Sequence, residues 1–318
     1  MAAVLFAKPE QRKVTRAALI GGFLPDFSLY FMFFWHKLVL QTPTQTIFND
    51  LYFSDYWQKI FAMDNSFKKL SSANASVIME GLDEIGKEVS NGISGNNLPI
   101  MFDAVTSLFY IDAFDRPDLN TVIEKAMETV AKMGAPAIPL VLEKVIDSDI
   151  KAELNFGRAC GLMDENAIQP LMDVLSSKNS SDKIAFALYA LGKIQSPKIV
   201  AVLPLILEKV NSPQKECEDT AVRALGKICE NMDPGDVSAE FRESMFNALV
   251  SKLSHGNDVI RSKAIRNLGK LIQYGFTNDI QTKKIMGKVK QVMGLDEDRK
   301  VDPAYLVRRE AQEVLDAV

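Results

Sequence analysis

A short string built around a Gly-Lys pair recurs along this 318-residue chain. It reads ALGKI at 190–194 and at 224–228, and NLGKL at 267–271, with weaker copies VAKM at 130–133 and CGLM at 160–163. The equivalent small residues, Ala131, Gly161, Gly192, Gly226 and Gly269, are separated by 30, 31, 34 and 43 positions. Repeats of this length with helical patterning are typical of stacked helix pairs, in which each unit buries its apolar face against the next. The sequence therefore predicts one all-α repeat array rather than two globular domains.

Each period divides in the same way. A first helix carries an apolar stripe with one proline, as in IPLVL at 138–142, IQPLM at 168–172 and VLPLI at 202–206. We place this proline at the helix start, where its missing N–H costs nothing. A polar turn follows (DSD, KNSS, NSPQ or HGND), whose side chains suit the N-cap of a second helix that ends in the Gly-Lys string. The small residue before the lysine is expected to let neighbouring helices approach closely.

This pattern resembles HEAT repeats, in particular the short bacterial type found in phycobilisome-lyase-like proteins. The resemblance covers 121–318 and continues in degenerate form over 72–120. It implies an α-α superhelix in which acidic and arginine residues at the start of the second helices link adjacent repeats. Asp258 and Arg261 match that habit, and Arg223 is expected to act in the same way. The resemblance implies a fold and says almost nothing about function.

The first 67 residues differ in composition from the rest, because they hold 15 of the 27 aromatic residues, including both tryptophans. We therefore divide the chain into an apolar, aromatic-rich N-terminal helical segment (1–67), degenerate helical repeats (68–120) and a HEAT-repeat solenoid (121–318). A flexible joint is expected at the Ser/Gly/Asn run of 90–97.

The N-terminal segment suggests membrane contact. Segment 17–40 has 24 residues and would extend about 36 Å as a helix, enough to cross a bilayer. Pro25 and Asp26 interrupt it, and an aspartate at mid-bilayer costs at least about 2.5 kcal/mol. A membrane-associated segment and a helix buried against protein therefore both stay open. Segment 47–67 carries an aromatic stripe at helical spacing, which suits a membrane interface or a protein packing face.

Two strings of this segment, LIGGFLPDFSLYFMFFW and LYFSDYWQKIFAMDNSF, resemble the opening of a bacterial inner-membrane family of metal-dependent hydrolases. The resemblance implies a metal-binding role for Asp26, but the family's N-terminal histidine has no counterpart before His36. A metal site needs three or four ligands. We therefore predict no metal site, with Asp26 as the one weak candidate, no catalytic residues and no cofactor. The cysteines Cys160, Cys217 and Cys229 form no CxxC pair and are expected to be buried thiols.

Basic residues recur at the ends of the predicted second helices. Lysines 132, 193, 227 and 270 directly follow the small residue in four of the five strings, where a cation offsets the helix macrodipole, and Leu162 breaks the series. The alternative is a row of cations that receives an acidic partner. The candidate partner-binding residues are Lys193, Lys227, Lys270, Arg261 and Arg266.

A denser basic stretch, 261–290, carries eight basic residues against one acidic residue, Asp279. Such a stretch suits phosphate contact. Only Tyr274 and Phe276 lie within it to stack on bases, so nucleic acid is the disfavoured partner.

Together these features predict a non-catalytic scaffold or adaptor that binds a protein partner through the solenoid's concave face, with residues 1–67 as a tether to a membrane or to a partner. Two alternatives stay open: the remnant of a membrane-bound metal-dependent hydrolase fused to HEAT repeats, and nucleic-acid binding through 261–290. The expected location is the cytoplasm, or the cytoplasmic face of the inner membrane, of a bacterium.

Overall fold

The computed structural model describes residues 65–92 and 97–318. Residues Leu70–Val318 form one compact unit. The predictions for 17–40, for Asp26, for most of 47–67 and for the centre of the 90–97 joint fall outside the described residues. Among the helices of the described ranges, none combines the length and the apolar character needed to cross a membrane.

The helices of the described unit are short and closely spaced. Helices α1 to α5 span Ala75–Ser90, Leu98–Thr106, Asn120–Met133, Ile138–Lys144 and Ile150–Leu162. Helices α6 to α9 span Glu165–Ser176, Ser181–Leu191, Leu203–Lys209 and Lys215–Cys229. Helices α10 to α13 span Ala239–Lys252, Asp258–Gln273, Asp279–Val292 and Tyr305–Ala317.

These helices form two layers. Each odd-numbered helix packs against the next odd-numbered one, from α1 on α3 through to α11 on α13. Helices α4, α6, α8 and α10 pack on one another in the same way, and successive helices such as α6 and α7 pack across the layers. Each repeat is thus a helix pair that buries its apolar faces against its own partner and against the neighbouring repeats. The predicted all-α superhelix of HEAT type is confirmed.

Glycines set the spacing within the odd-numbered layer. A Cβ added at Gly161 would lie 2.7 Å from the Cβ of Lys193, and one at Gly269 would lie 2.5 Å from Cγ2 of Val314. At Gly226 an added Cβ would overlap the side chain of Asn267 on the next helix of the layer. At these three positions the small residue therefore lets adjacent helices approach closely, as predicted. An added Cβ at Gly192 would make only ordinary contact, 3.4 Å from the Cβ of Lys227.

The polar turns cap the second helices in three of four cases. The Asp149 carboxylate accepts the Ala152 N–H at 2.8 Å, and Ser180 and Asn257 cap α7 and α11 in the same way. Each such bond satisfies one of the backbone donors that the first turn leaves free. The fourth turn differs, since the N-cap residue of α9 is Gln214 and its side chain makes no capping bond.

The prediction that each proline opens its helix is wrong at Pro170. Pro139 and Pro204 do stand at the first positions of α4 and α8. Pro170 instead lies inside α6, which begins at Glu165. The segments before α4 and α8 are 3₁₀ turns. In the repeat of Pro170 the equivalent segment is already α-helical, because α6 has its N-cap at Asp164. Asp164 is fixed from outside the helix, because its carboxylate accepts the Ser196 N–H of the following repeat at 2.8 Å.

The three cysteines are buried and unpaired, as predicted. Burial raises the pKa of the Cys160 and Cys229 thiols to about 12, so both stay protonated at neutral pH. They pack as small apolar side chains.

Candidate functional site

The repeat register places two columns of residues on the exposed side of the odd-numbered helices. One column holds the residues after the small residue of each string: Lys132, Leu162, Lys193, Lys227 and Lys270. The other holds the residues four positions earlier, one helical turn away: Glu128, Arg158, Tyr189, Arg223 and Arg266. The odd-helix face is the part of these two columns that lies on, or directly after, α5, α7, α9 and α11. Its residues are Arg158, Leu162, Tyr189, Lys193, Arg223, Lys227, Arg266 and Lys270.

Lys132, Lys227 and Lys270 lie in the last turns of α3, α9 and α11, where the macrodipole argument applies. Lys193 does not, because α7 ends at Leu191 and Gly192 is its C-cap. The predicted last-turn role is therefore wrong for Lys193, whose ammonium group instead lies 5.3 Å from the ring centroid of Tyr189.

The downstream half of the odd-helix face is neutralised within the chain. The Nζ atoms of Lys227 and Lys270 lie 2.8 and 2.6 Å from the carboxylate oxygens of Glu230. Burial alone would raise the pKa of Glu230, but hydrogen bonds from these two lysines hold it below its usual value. The guanidinium of Arg266 makes a two-pronged contact with the buried carboxylate of Glu310 on α13. Lys270 and Arg266 thus link α11 to the end of α9 and to α13, whereas Lys227 pairs within its own repeat.

Arg261 also links repeats. Its Nε and one terminal nitrogen lie 2.8 and 2.9 Å from the two carboxylate oxygens of Asp302, and both side chains are only 13% exposed. Burial raises the pKa of Asp302, but the guanidinium and the Ala304 N–H outweigh that effect and hold the pKa below its usual value. The geometry assigns Arg261 to the packing of α11 against the segment before α13, as the HEAT resemblance implied.

Arg223 departs from that expectation. It has no acidic partner among the described residues, and its guanidinium lies 5.4 Å from the ring centroid of Tyr189 on α7. It still connects neighbouring helices, but through an aromatic ring rather than a carboxylate.

The upstream half of the odd-helix face carries cations without anions. Arg158, Lys193 and Arg223 make no ion pair and no side-chain hydrogen bond within the described ranges. Burial lowers the pKa of Lys193, and the like charges of Arg223, Lys227 and Arg158 lower it further. These three cations lie on α5, on α9 and just after α7.

A cleft open to solvent connects these cations to the loop before α3. Phe114 in that loop is 95% exposed, and Leu154 on α5 is 42% exposed. The charged residues that line the cleft are two carboxylates, of which Asp112 is bound to Lys151, and four cations. The complete charged lining is Asp112, Glu124, Lys151, Arg158, Lys193 and Arg223.

Of the predicted partner-binding residues, the structure places Lys193 beside unpaired cations and Lys227, Lys270, Arg261 and Arg266 in contact with carboxylates. Sequence reasoning missed Arg158, Tyr189 and Phe114. A signal for Tyr189 was present, since it precedes Lys193 by four positions, the spacing at which side chains meet on a helix face.

The basic stretch 261–290 does not form one surface. Its four residues on α11 each contact a carboxylate, as in the 2.5 Å pair between Lys263 and Asp219. The other four lie on α12, where Lys284 lies over the ring of Phe246 on α10, in the even-numbered layer. Within the described residues, no three His, Cys, Asp or Glu side chains are grouped to hold a metal ion.

No family model matches this sequence, and no curated protein matches it. Among solved structures, an archaeal HEAT-like repeats protein from Thermococcus onnurineus NA1 is 18% identical over 81% of this chain and 96% of its own, with a TM-score of 0.45. Importin beta is 12% identical over 86% of this chain and 33% of its own, with a TM-score of 0.49. The complex of CpcE and CpcF of phycocyanin lyase from Nostoc sp. PCC7120 is 16% identical over 56% of this chain and 98% of the matched chain, with a TM-score of 0.45.

Proposed function

We propose that this protein is a non-catalytic scaffold or adaptor that binds a protein partner through the odd-helix face. One observation carries the proposal: this face joins unpaired cations to exposed apolar side chains along a single open cleft. Arg158 has no ion pair among the described residues, Lys193 and Arg223 contact only the ring of Tyr189, and Phe114 is exposed to 95%, so these groups are available to a partner. A stack of helix pairs offers such a surface over several repeats without a catalytic pocket.

The proposed contact residues follow from this division of the odd-helix face. Lys193 is the predicted residue that we place at the centre of the contact. Lys227, Lys270 and Arg266 lie at its edge, where the carboxylates of Glu230 and Glu310 already engage them. We assign Arg261 to repeat packing.

A membrane tether through 17–40 and 47–67 stays a prediction. The same holds for the location that we propose, the cytoplasm or the cytoplasmic face of the inner membrane. Three unpaired cysteines fit a reducing compartment.

Site-specific crosslinking tests the proposal. A photo-reactive residue placed in the full chain at Leu154 or Leu162, both exposed on α5, is expected to capture the same partner protein in cells. The matched control positions are Gln169 on α6 and Asn247 on α10, which are exposed on the even-numbered layer and should capture little of that protein. Capture from the even-numbered positions alone would contradict the proposal.

A further inference from the structure

Two cations contact the ring of Tyr189. Gly157 on α5 leaves the space for its ring, since an added Cβ at that position would overlap the ring. Lys193 and Arg223 reach the ring from the end of α7 and from α9, at 5.3 and 5.4 Å from its centroid. The electron-rich ring attracts both cations and so keeps them close together in spite of their like charge.

The cation cluster, Arg158, Lys193 and Arg223, has no carboxylate within 4 Å among the described residues, although Glu124 lines the same cleft. The carboxylate of Glu230, directly after α9, is occupied by Lys227 and Lys270. Asp112 is bound to Lys151. Each arginine or lysine of α11 has a carboxylate within 4 Å, whereas Arg158, Lys193 and Arg223 have none among the described residues.

The surroundings of the cluster indicate what kind of anion fits. Lys193 lines three adjacent openings, which lead toward Leu162, toward Lys227 and toward Phe114. Leu162 is 54% exposed, so apolar contact surface lies on two sides of the cations. A single small anion would leave this apolar surface uncovered. An extended chain crossing α5, α7 and α9 would cover both the charges and the apolar side chains.

We propose that Arg158, Lys193 and Arg223 form a carboxylate-binding site for an acidic segment of the protein partner, with Phe114 and Leu154 contacting apolar side chains of that segment. The inference rests on the proposed function and names the chemistry of its partner. Charge complementarity argues for an acidic peptide. A nucleic acid fits less well, because successive bases stack on several aromatic rings and, among the described residues, Phe114 is the one ring of this cleft without cations over it, since Tyr189 already has two.

The test is a binding titration of the full chain with a fluorescent peptide of repeated Glu-Glu-Leu triplets. The peptide is expected to bind at low salt, and its Gln-Gln-Leu counterpart is expected to bind at least about tenfold more weakly. The triple variant Arg158→Glu, Lys193→Glu, Arg223→Glu should weaken binding of the acidic peptide by at least about tenfold.

Two further variants keep the result interpretable. Arg158→Glu alone changes an exposed side chain without an internal partner and should weaken binding about threefold with the fold intact, as checked by circular dichroism. The matched control carries three charge reversals at the opposite ends of α7 and α9: Lys178→Glu, Lys183→Glu and Lys215→Glu. It should bind within about twofold of the parent chain.

Equal binding of the Glu and Gln peptides, or equal losses in the site and control variants, would overturn the carboxylate site. A thymidine oligonucleotide that binds more tightly than the acidic peptide and is lost in the same variants would overturn it in favour of nucleic acid. Displacement of the peptide by millimolar inorganic phosphate would point to a phosphate site instead. In each of these cases crosslinking of a protein from Leu154 would still support the proposed scaffold function, so the two failures can be told apart.

Discussion

Replacing Gly226 with alanine is expected to lower the free energy of unfolding by about 2–3 kcal/mol. The new Cβ would overlap the side chain of Asn267, which is buried and donates through Nδ2 to the Val222 carbonyl at 2.6 Å. Either α9 and α11 move apart, or Asn267 turns away and leaves its buried amide without a partner. The higher helix propensity of alanine, about 1 kcal/mol, offsets only part of this cost. Urea denaturation followed by circular dichroism measures the effect.

Gly287→Ala is the matched control. Gly287 lies inside α12, is exposed, and has no atom within 4 Å of an added Cβ. The same substitution there should raise the free energy of unfolding by about 0.5–1 kcal/mol. If both variants shifted stability in the same direction and by the same amount, close helix approach at the repeated glycine would not be what holds the layer together.

Arg261→Leu is expected to cost about 2–4 kcal/mol at pH 7, because it removes a two-pronged partner from a carboxylate that is only 13% exposed. The guanidinium also donates to the His255 carbonyl at 2.9 Å, which loses its partner as well. The effect is expected as a lower midpoint in urea denaturation. The matched control is Arg116→Leu, since Arg116 and Asp118 form the same kind of pair on the surface, with side chains 43% and 55% exposed. That substitution should leave the midpoint nearly unchanged.

The loss in free energy of unfolding caused by Arg261→Leu should also depend on pH. The pKa of Asp302 is depressed in the folded chain, so the pair stabilises the fold above the unfolded pKa of about 4 and loses that contribution as the pH falls through the folded value. In the Arg261→Leu variant, burial without the guanidinium is expected to raise the pKa of Asp302. Protonation of Asp302 at low pH then removes the cost of burying an unpaired carboxylate. The difference in stability between the parent chain and the variant should therefore narrow between pH 7 and about pH 3.5. A constant difference would assign the effect to lost packing instead.

The fold could be predicted because each repeat carries the same local signals in the same order. The Gly-Lys string, the polar turn with a capping residue such as Asp149, and the aliphatic stripe all agree on a helix pair. Pro170 could not be predicted, because the start of α6 depends on Asp164, whose carboxylate is fixed by a backbone N–H of the next repeat. Local sequence carries no information about that contact.

The candidate site was predictable only as a row of cations. The sequence places Lys193, Lys227 and Lys270 in equivalent positions, yet one carboxylate, Glu230, engages two of them and leaves the third free. That difference depends on distances across repeats rather than on spacing along the chain. The pairing of Arg266 with Glu310, 44 positions away, has the same origin.

Hydroxyl-radical footprinting of the full chain, with and without the partner captured by crosslinking, tests most directly whether the odd-helix face is the binding surface. Phe114 and Leu162 are exposed beside the cleft, and Ile280 and Tyr305 are similarly exposed apolar or aromatic side chains on α12 and α13. We expect the partner to lower the oxidation rate of Phe114 and Leu162 several-fold and to leave Ile280 and Tyr305 unchanged. Protection of Ile280 and Tyr305 with Phe114 and Leu162 still fully reactive would contradict the account.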